Sequence, residues 1–171
     1  MPEEAAAQAT PGAGRPGIRV AVVLEREAAP NRYEDWRFRV ADVVADEPAF
    51  GSDPRVLRDD GKRRLTLHPG FVLELFRDQA EGYHLNLSSG TPVWFVVWRV
   101  DDADPSRAWP ETVSLSYHEA GRWLDAQERV DNVPLAPELA AWLQAYTDEH
   151  YQPEPKRRQR PQSFVSPGDR K

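Results

Sequence analysis

The sequence predicts an α+β protein: a curved, mainly antiparallel sheet with three helices, the longest at the C-terminus and followed by a basic tail. Short runs of alternating apolar and polar residues outnumber stretches with helical spacing. Most links between them are short, and no strand-helix-strand unit repeats, which sets parallel architectures aside. The third observation is the run Thr91-Pro-Val-Trp-Phe-Val-Val-Trp-Arg-Val100. Val93, Phe95 and Val97 fall on one face of it and Trp94, Val96, Trp98 and Val100 on the other, which suits a central strand covered on both sides. Ser89-Gly90 before it and Asp101-Asp102 after it are turn chemistry.

The 171 residues divide into a disordered leader (1–16), one α+β domain (17–151) and a basic, Pro-containing tail (152–171). Forty per cent apolar residues, with six Trp, are enough to close one core. The leader is Ala, Pro and Gly without a period. It contains Gly12-Ala13-Gly14-Arg15-Pro16-Gly17, which spells G-x-G-x-x-G but precedes the first strand and holds a Pro, so it lacks the strand-to-helix setting of a dinucleotide site.

Ile18 to Arg26 alternates, with Val20, Val22 and Leu24 on one face, and reads as the first strand. Asn31 to Val40 reads as the second, with Trp36, Phe38 and Val40 inward and Asp35, Arg37 and Arg39 outward. Pro48 to Pro54 is a loop. Val56-Leu57 and Leu65-Thr66-Leu67 flank Asp60-Gly61, a hairpin signal because Gly accepts the positive φ of a tight turn. His68-Pro69-Gly70 reads as a further turn, and Phe71 to Phe76 as a strand.

Asp78 stands three residues before Glu81, a capping-box spacing. The helix that follows buries Ala80, Tyr83 and Leu87, with Asn86 beside them, and ends near Gly90. After the central strand come a loop to Pro110 and a strand from Thr112 to Tyr117. Ser116-x-x-Glu119 then opens a helix burying Ala120, Trp123 and Leu124. Arg129 to Pro134 is extended. Pro137, whose missing donor costs nothing in a first turn, starts the longest helix. Leu139, Trp142, Leu143, Tyr146 and His150 line one face of that helix, which is expected to dock on the sheet.

Zero cysteines exclude disulfides, thiolate zinc sites, iron-sulfur ligation and cysteine nucleophiles. His68, His84, His118 and His150 stand far apart, none at a metal-ligand spacing. Asp101, Asp102 and Asp104 lack the Gly and the terminal Glu of a calcium loop. No nucleophile elbow, phosphate-binding loop or H-E-x-x-H occurs. Asn86-Leu87-Ser88 is formally a glycosylation acceptor, without consequence in a cytoplasmic chain. Neither a catalytic residue nor a metal or cofactor is therefore expected.

No run of about eighteen apolar residues exists, so membrane insertion is not expected. The leader carries Glu3 and Glu4 where a signal peptide needs basic residues, which points to the cytoplasm. Residues 152–171 hold six basic residues against two acidic ones, a net of +4, leaving −10 on the rest of a chain whose total is −6. Arg32-Tyr33 and Trp36-Arg37-Phe38-Arg39 interleave aromatic and basic residues, as a base-stacking surface would. An acidic body repels a polyanion, however, and a half-buried strand spells the same alternation, so nucleic acid is not the expected partner. Lys156, Arg157, Arg158 and Arg160 follow a helix whose C-terminal dipole favours cations, and guanidinium forks pair well with carboxylates.

Several stretches together carry a resemblance. They are Val20 to Arg26, Trp36 in an Arg-rich strand, Tyr83 with Asn86-Leu87, and Ser89-Gly90-x-Pro92. Further along come Tyr117 with Ala120 and Trp123-Leu124-Asp125, Val133-Pro134-Leu135, Trp142, Tyr146, His150-Tyr151 and Pro153 to Arg158. Over about residues 17 to 160 the chain is similar to a bacterial family of unknown function. The genes of that family commonly sit beside those of molybdenum-dependent formate dehydrogenase, iron-sulfur proteins and a dedicated chaperone.

The resemblance implies a non-catalytic accessory or adaptor protein that contacts formate dehydrogenase, its maturation factors or a neighbouring family product. Without cysteine the chain cannot carry a cluster itself, but it can offer a sheet edge, an aromatic face and an Arg-rich tail. Partner contact is expected at His150, Tyr151, Lys156, Arg157, Arg158 and Arg160. Two alternatives stay open. One is a small-ligand binder or enzyme, for a pterin or nucleotide, with a pocket between sheet and helices drawn from Arg37, Tyr83, Asn86 and His150. The other is a structural subunit of the dehydrogenase.

Overall fold

The computed structural model describes residues 14–29 and 35–153. They form seven strands, β1 (Gly17–Ala28), β2 (Trp36–Ala45), β3 (Arg55–Asp59), β4 (Arg63–Glu74), β5 (Val93–Val100), β6 (Ala108–Ser114) and β7 (Arg129–Pro134), and three helices, α1 (Ala80–Ser88) after β4, α2 (Tyr117–Asp125) after β6 and α3 (Pro137–His150) after β7. The α+β class, the antiparallel pairing and the long C-terminal helix are as expected. The strands are shared between two sheets, in the orders β2-β1-β4-β3 and β6-β5-β7. No helix among the described residues is long and apolar enough to cross a membrane.

The sheets face each other across one core. Val20, Val22, Leu24, Leu73 and Leu75 from the first meet Trp94, Val96, Val113, Leu115 and Val133 from the second, joined by Tyr83 of α1 and Leu143 and Tyr146 of α3. β2 runs beside β7, where the Val40 N–H donates to Asp131 Oδ2 at 2.9 Å, and β4 runs beside β6. β5 is the middle strand of its sheet, with Trp94, Phe95, Val96 and Val97 all buried. On its second face Phe95 meets Tyr117 of α2 edge-on.

β1 is covered on both faces as well, more fully than its alternation suggests. Six consecutive residues, Val20 to Glu25, are buried. Ala21 and Val23 join Leu67 in a second cluster roofed by Phe50 from a single 3-10 turn, Pro48–Phe50.

Two bulges account for where the period-2 reading stopped. Val22 pairs with Val43 and Leu24 with Val40, so three steps on β2 span two on β1. The inward phase shifts there from Val40 to Val43, and β2 runs on to Ala45 instead of ending at Val40; residues 31–34 of the expected strand lie outside the described residues. Likewise Val20 pairs with Phe71 and Val22 with His68. His68-Pro69-Gly70 is therefore a bulge inside one long β4 and not a turn between strands. Gly70 adopts φ +90°, its N–H donates to Asp46 Oδ2, and Pro69 has no donor to lose.

Ser116 caps α2 as its spacing predicts, accepting from the Glu119 N–H at 3.3 Å. Asp78 does not cap α1, because a 3-10 turn, Arg77–Gln79, precedes the helix and Gln79 takes the N-cap position. Leu124, expected inside, is 58% exposed, since α2 is only nine residues long and turns its last face to solvent. α3 packs chiefly on α1, and reaches the inter-sheet core through Leu143 and Tyr146 instead of docking broadly on a sheet.

His68 is half-buried, its Nε2 has no hydrogen-bond partner among the described residues, and burial draws its pKa below the ordinary imidazole value. The fold thus holds the neutral ring, while the unfolded chain takes up a proton below pH about 6.5. Stability contributed by neutral His68 should fall as pH drops from there toward its lowered folded pKa. His68→Gln should flatten that part of the stability curve measured by urea unfolding; identical slopes in variant and parent would show that His68 contributes nothing to it.

Candidate functional site

A concavity opens at the C-terminal end of α3. It encloses about 690 Å³ between Gly14–Pro16, the segment Leu75–Asp78, and Tyr146, Glu149 and His150. Three local features build it. The lead-in to β1 is tied down where the Leu75 N–H donates to the Pro16 carbonyl at 2.9 Å. The 3-10 turn after Phe76 brings Arg77 and Asp78 to the rim. The helical spacing of Tyr146 and His150 then aligns their rings one turn apart, with centroids 4.3 Å apart.

The wall is aromatic and the rim is charged. Tyr83, buried behind the cleft, meets Tyr146 edge-on at 6.1 Å and accepts a hydrogen bond from the Phe76 N–H at 3.0 Å. Burial holds the Tyr83 phenol well above its ordinary pKa, so it stays protonated. Burial also raises Tyr146, with Asp78 and Glu149 adding to the rise and Arg77 and Arg15 opposing it. Arg15 lies over the Phe76 ring, 4.8 Å from its centroid, and 3.5 Å from Glu74. Two guanidiniums, two carboxylates and an imidazole thus surround an apolar floor. Such a surface can bind planar or charged groups; among the described residues no three His, Asp or Glu side chains could hold a metal ion.

A smaller cleft of about 210 Å³ lies between β4 and β6, beside Val72, Phe76, Ser114 and Glu119. Burial raises the Glu119 carboxyl pKa, and a hydrogen bond to the Ser114 side chain partly offsets it.

The structure brings together some of the sequence-predicted residues. His150 lines the main cleft, and Tyr151 stacks on His84 at 4.4 Å, extending the aromatic end of α3. Tyr83 forms the layer beneath. Asn86 sits apart from any opening: its Nδ2 donates to the Val93 and Leu115 carbonyls at 2.8 and 3.0 Å, and its Oδ1 accepts from the Val93 N–H at 3.0 Å. That makes it a clamp between α1 and the second sheet. Arg37 is exposed on β2, opposite Glu27, and does not join the cleft. Lys156, Arg157, Arg158 and Arg160 lie outside the described residues.

Arg15, Phe76, Arg77 and Asp78 were not legible as site residues. Arg15 reads as part of a leader and Asp78 as a helix cap, and no local spacing joins either to a helix that begins at Pro137.

Fold and cleft together define a small α+β protein with two facing antiparallel sheets and an open, aromatic-walled recess beside its C-terminal helix. The chain belongs to a family of proteins of unknown function, DUF3305, whose pattern matches residues 19–160. That span begins within β1, takes in every later element and continues through Arg160. No curated protein and no solved structure matches the chain.

Proposed function

We propose that this chain is a cytoplasmic, non-catalytic accessory protein that acts by protein-protein contacts in the assembly or working of a molybdenum-dependent formate dehydrogenase. The observation that carries the contact reading is the end of α3. There the His150 ring lies tilted against Tyr146 in a cleft rimmed by Arg15 and Arg77, the Tyr151 ring stacks on His84, and the sequence runs on within six residues into Lys156-Arg157-Arg158-Gln159-Arg160. Aromatic surface next to arginine is the composition of interface hot spots. The family match runs past the helix and includes this basic segment, which favours reading the two as one docking surface. The dehydrogenase as partner rests on the gene neighbourhood that the resemblance implies.

Affinity capture of the tagged protein from cells producing formate dehydrogenase, together with formate oxidation in a strain lacking the gene, tests the proposal. Transient capture of the immature enzyme with lost activity supports an adaptor. Stoichiometric co-purification with the mature enzyme supports a structural subunit instead, and normal activity without any capture defeats both. Deleting residues 152–171 should weaken partner binding and flatten its dependence on salt, because exposed charge pairs are screened within about 8 Å at physiological ionic strength. Unchanged affinity at low and high salt would remove the tail from the interface.

A second reading is favoured by the cleft volume, which falls within the roughly 300–1,000 Å³ of small-molecule sites. On that reading the chain binds a pterin or nucleotide between Arg15, Arg77 and the Tyr146 and His150 rings. A saturable rise in melting temperature with such a ligand supports it, since only native-state binding stabilises.

A further inference from the structure

β3 is the open edge of its sheet. β2, at the opposite edge, runs beside β7, whereas among the described residues β3 pairs only with β4 and residues 51 to 60 are all exposed. One row of its backbone donors and acceptors therefore points away from the protein, a row that can template another strand. The strand is also unusually apolar for an exposed edge. Val56 and Leu57 are 54% and 50% exposed, adjacent members of the small set of large hydrophobic side chains left in solvent.

The charge around this edge is one-sided. Arg55 stands opposite Leu67 and Arg58 opposite Leu65, so a bulge at Leu57 puts both arginines on the outer face of the sheet, the face that carries Glu25. Arg39 and Arg63 converge there on Glu25, and Arg63 also reaches Glu27 at 3.6 Å. Glu25 is buried beneath them, while the Arg39 and Arg63 side chains remain 67% and 61% exposed. Arg37, opposite Glu27, and Asp42, opposite Val23, share this face, on which guanidiniums outnumber carboxylates. Arg55 and Arg58 make no side-chain hydrogen bond or ion pair among the described residues; Arg58 only adds to the field that favours the ionised Asp60.

We infer that the free edge of β3 accepts an extended acidic segment of a partner protein as an added strand. Alternate side chains of such a segment lie beside Arg55 and Arg58 on the outer face and beside Val56 on the other, which selects acidic residues alternating with apolar ones. A second copy of this chain fits less well, because its β3 brings two further arginines and one aspartate. Nucleic acid fits less well too, since Asp59 and Asp60 close the hairpin and repel phosphate, and a polyanion leaves the backbone row unpaired. This surface is distinct from the cleft beside α3, and the inference depends neither on the basic tail nor on the dehydrogenase as partner.

A labelled peptide of alternating Glu and Val, about eight residues long, serves as the probe against the full chain. Anisotropy should show saturable binding that weakens as salt rises, and amide exchange should slow across residues 55–59. R55E/R58E alters only exposed side chains and should leave the melting temperature unchanged. It should weaken the Glu-Val peptide about tenfold or more and bind the matching Lys-Val peptide in its place. Three results would overturn the inference: no binding, peptide-independent pairing of two copies through β3, or equal binding of a single-stranded oligonucleotide without amide protection.

Discussion

Asn86→Ala should destabilise the fold by about 3–5 kcal/mol, near the upper end for a single side chain. Asn86 is 2% exposed and satisfies three backbone groups at once, the N–H and carbonyl of Val93 and the carbonyl of Leu115. Alanine leaves all three without a partner, the Leu115 carbonyl buried and the two Val93 groups partly so, and each such group costs up to about 1–3 kcal/mol. Partial relaxation keeps the total below the full sum. Asn86→Asp should be no milder, because a carboxylate cannot donate to two carbonyls and its charge is buried without a cation. Chemical denaturation reads the loss directly. A variant within about 1 kcal/mol of the parent would mean that the clamp between α1 and β5 is not a structural necessity, and would return Asn86 to the list of binding residues.

Gly82→Ala should cost about 2–3 kcal/mol although alanine is the better helix former. A Cβ built at Gly82 falls 2.1 Å from Ser116 Oγ and 3.2 Å from the His118 nitrogen. Ser116 cannot swing aside cheaply: it is fully buried, donates to Gln79 Oε1 at 2.7 Å and caps α2. The helix-propensity gain of up to about 1 kcal/mol is therefore outweighed by separating α1 from α2 and loosening the cap. Gly121→Ala in α2 is the control. Nothing lies within 4 Å of its added Cβ, so the same substitution should stabilise there by up to about 1 kcal/mol. Equal signs for the two variants would contradict the close approach of the helices at Gly82.

The site was less legible than the elements. His150 was readable as part of an amphipathic stripe, and Tyr83 as a helix-face residue, because both sit on a 3.6-residue period. Asn86 was visible as a polar residue on a buried stripe but not as a backbone clamp, since its partners Val93 and Leu115 are separated from each other by more than twenty positions. Arg37 stood only as one residue of the alternative pocket, with no spacing to favour it; the strand alternation already read it as outward, and the structure keeps it on the face opposite the inward Phe38. The edge at β3 shows the reverse. Its hairpin was predicted from Asp60-Gly61, while its openness depends on which strands the rest of the chain sends elsewhere.

By itself the sequence determined what is local. Ser116-x-x-Glu119 placed the start of α2, Pro137 the start of α3, Asp60-Gly61 the tight turn, and the run to Val100 the buried β5, because caps, turn φ values and side-chain periods act over a few residues. Only the tertiary structure decided the two bulges, the division into two facing sheets, the meeting of Arg15 and Arg77 with α3, and the strand left uncovered at the edge. Those depend on contacts between residues far apart in the chain, and a bulge reverses the facing of every residue beyond it without leaving a local mark.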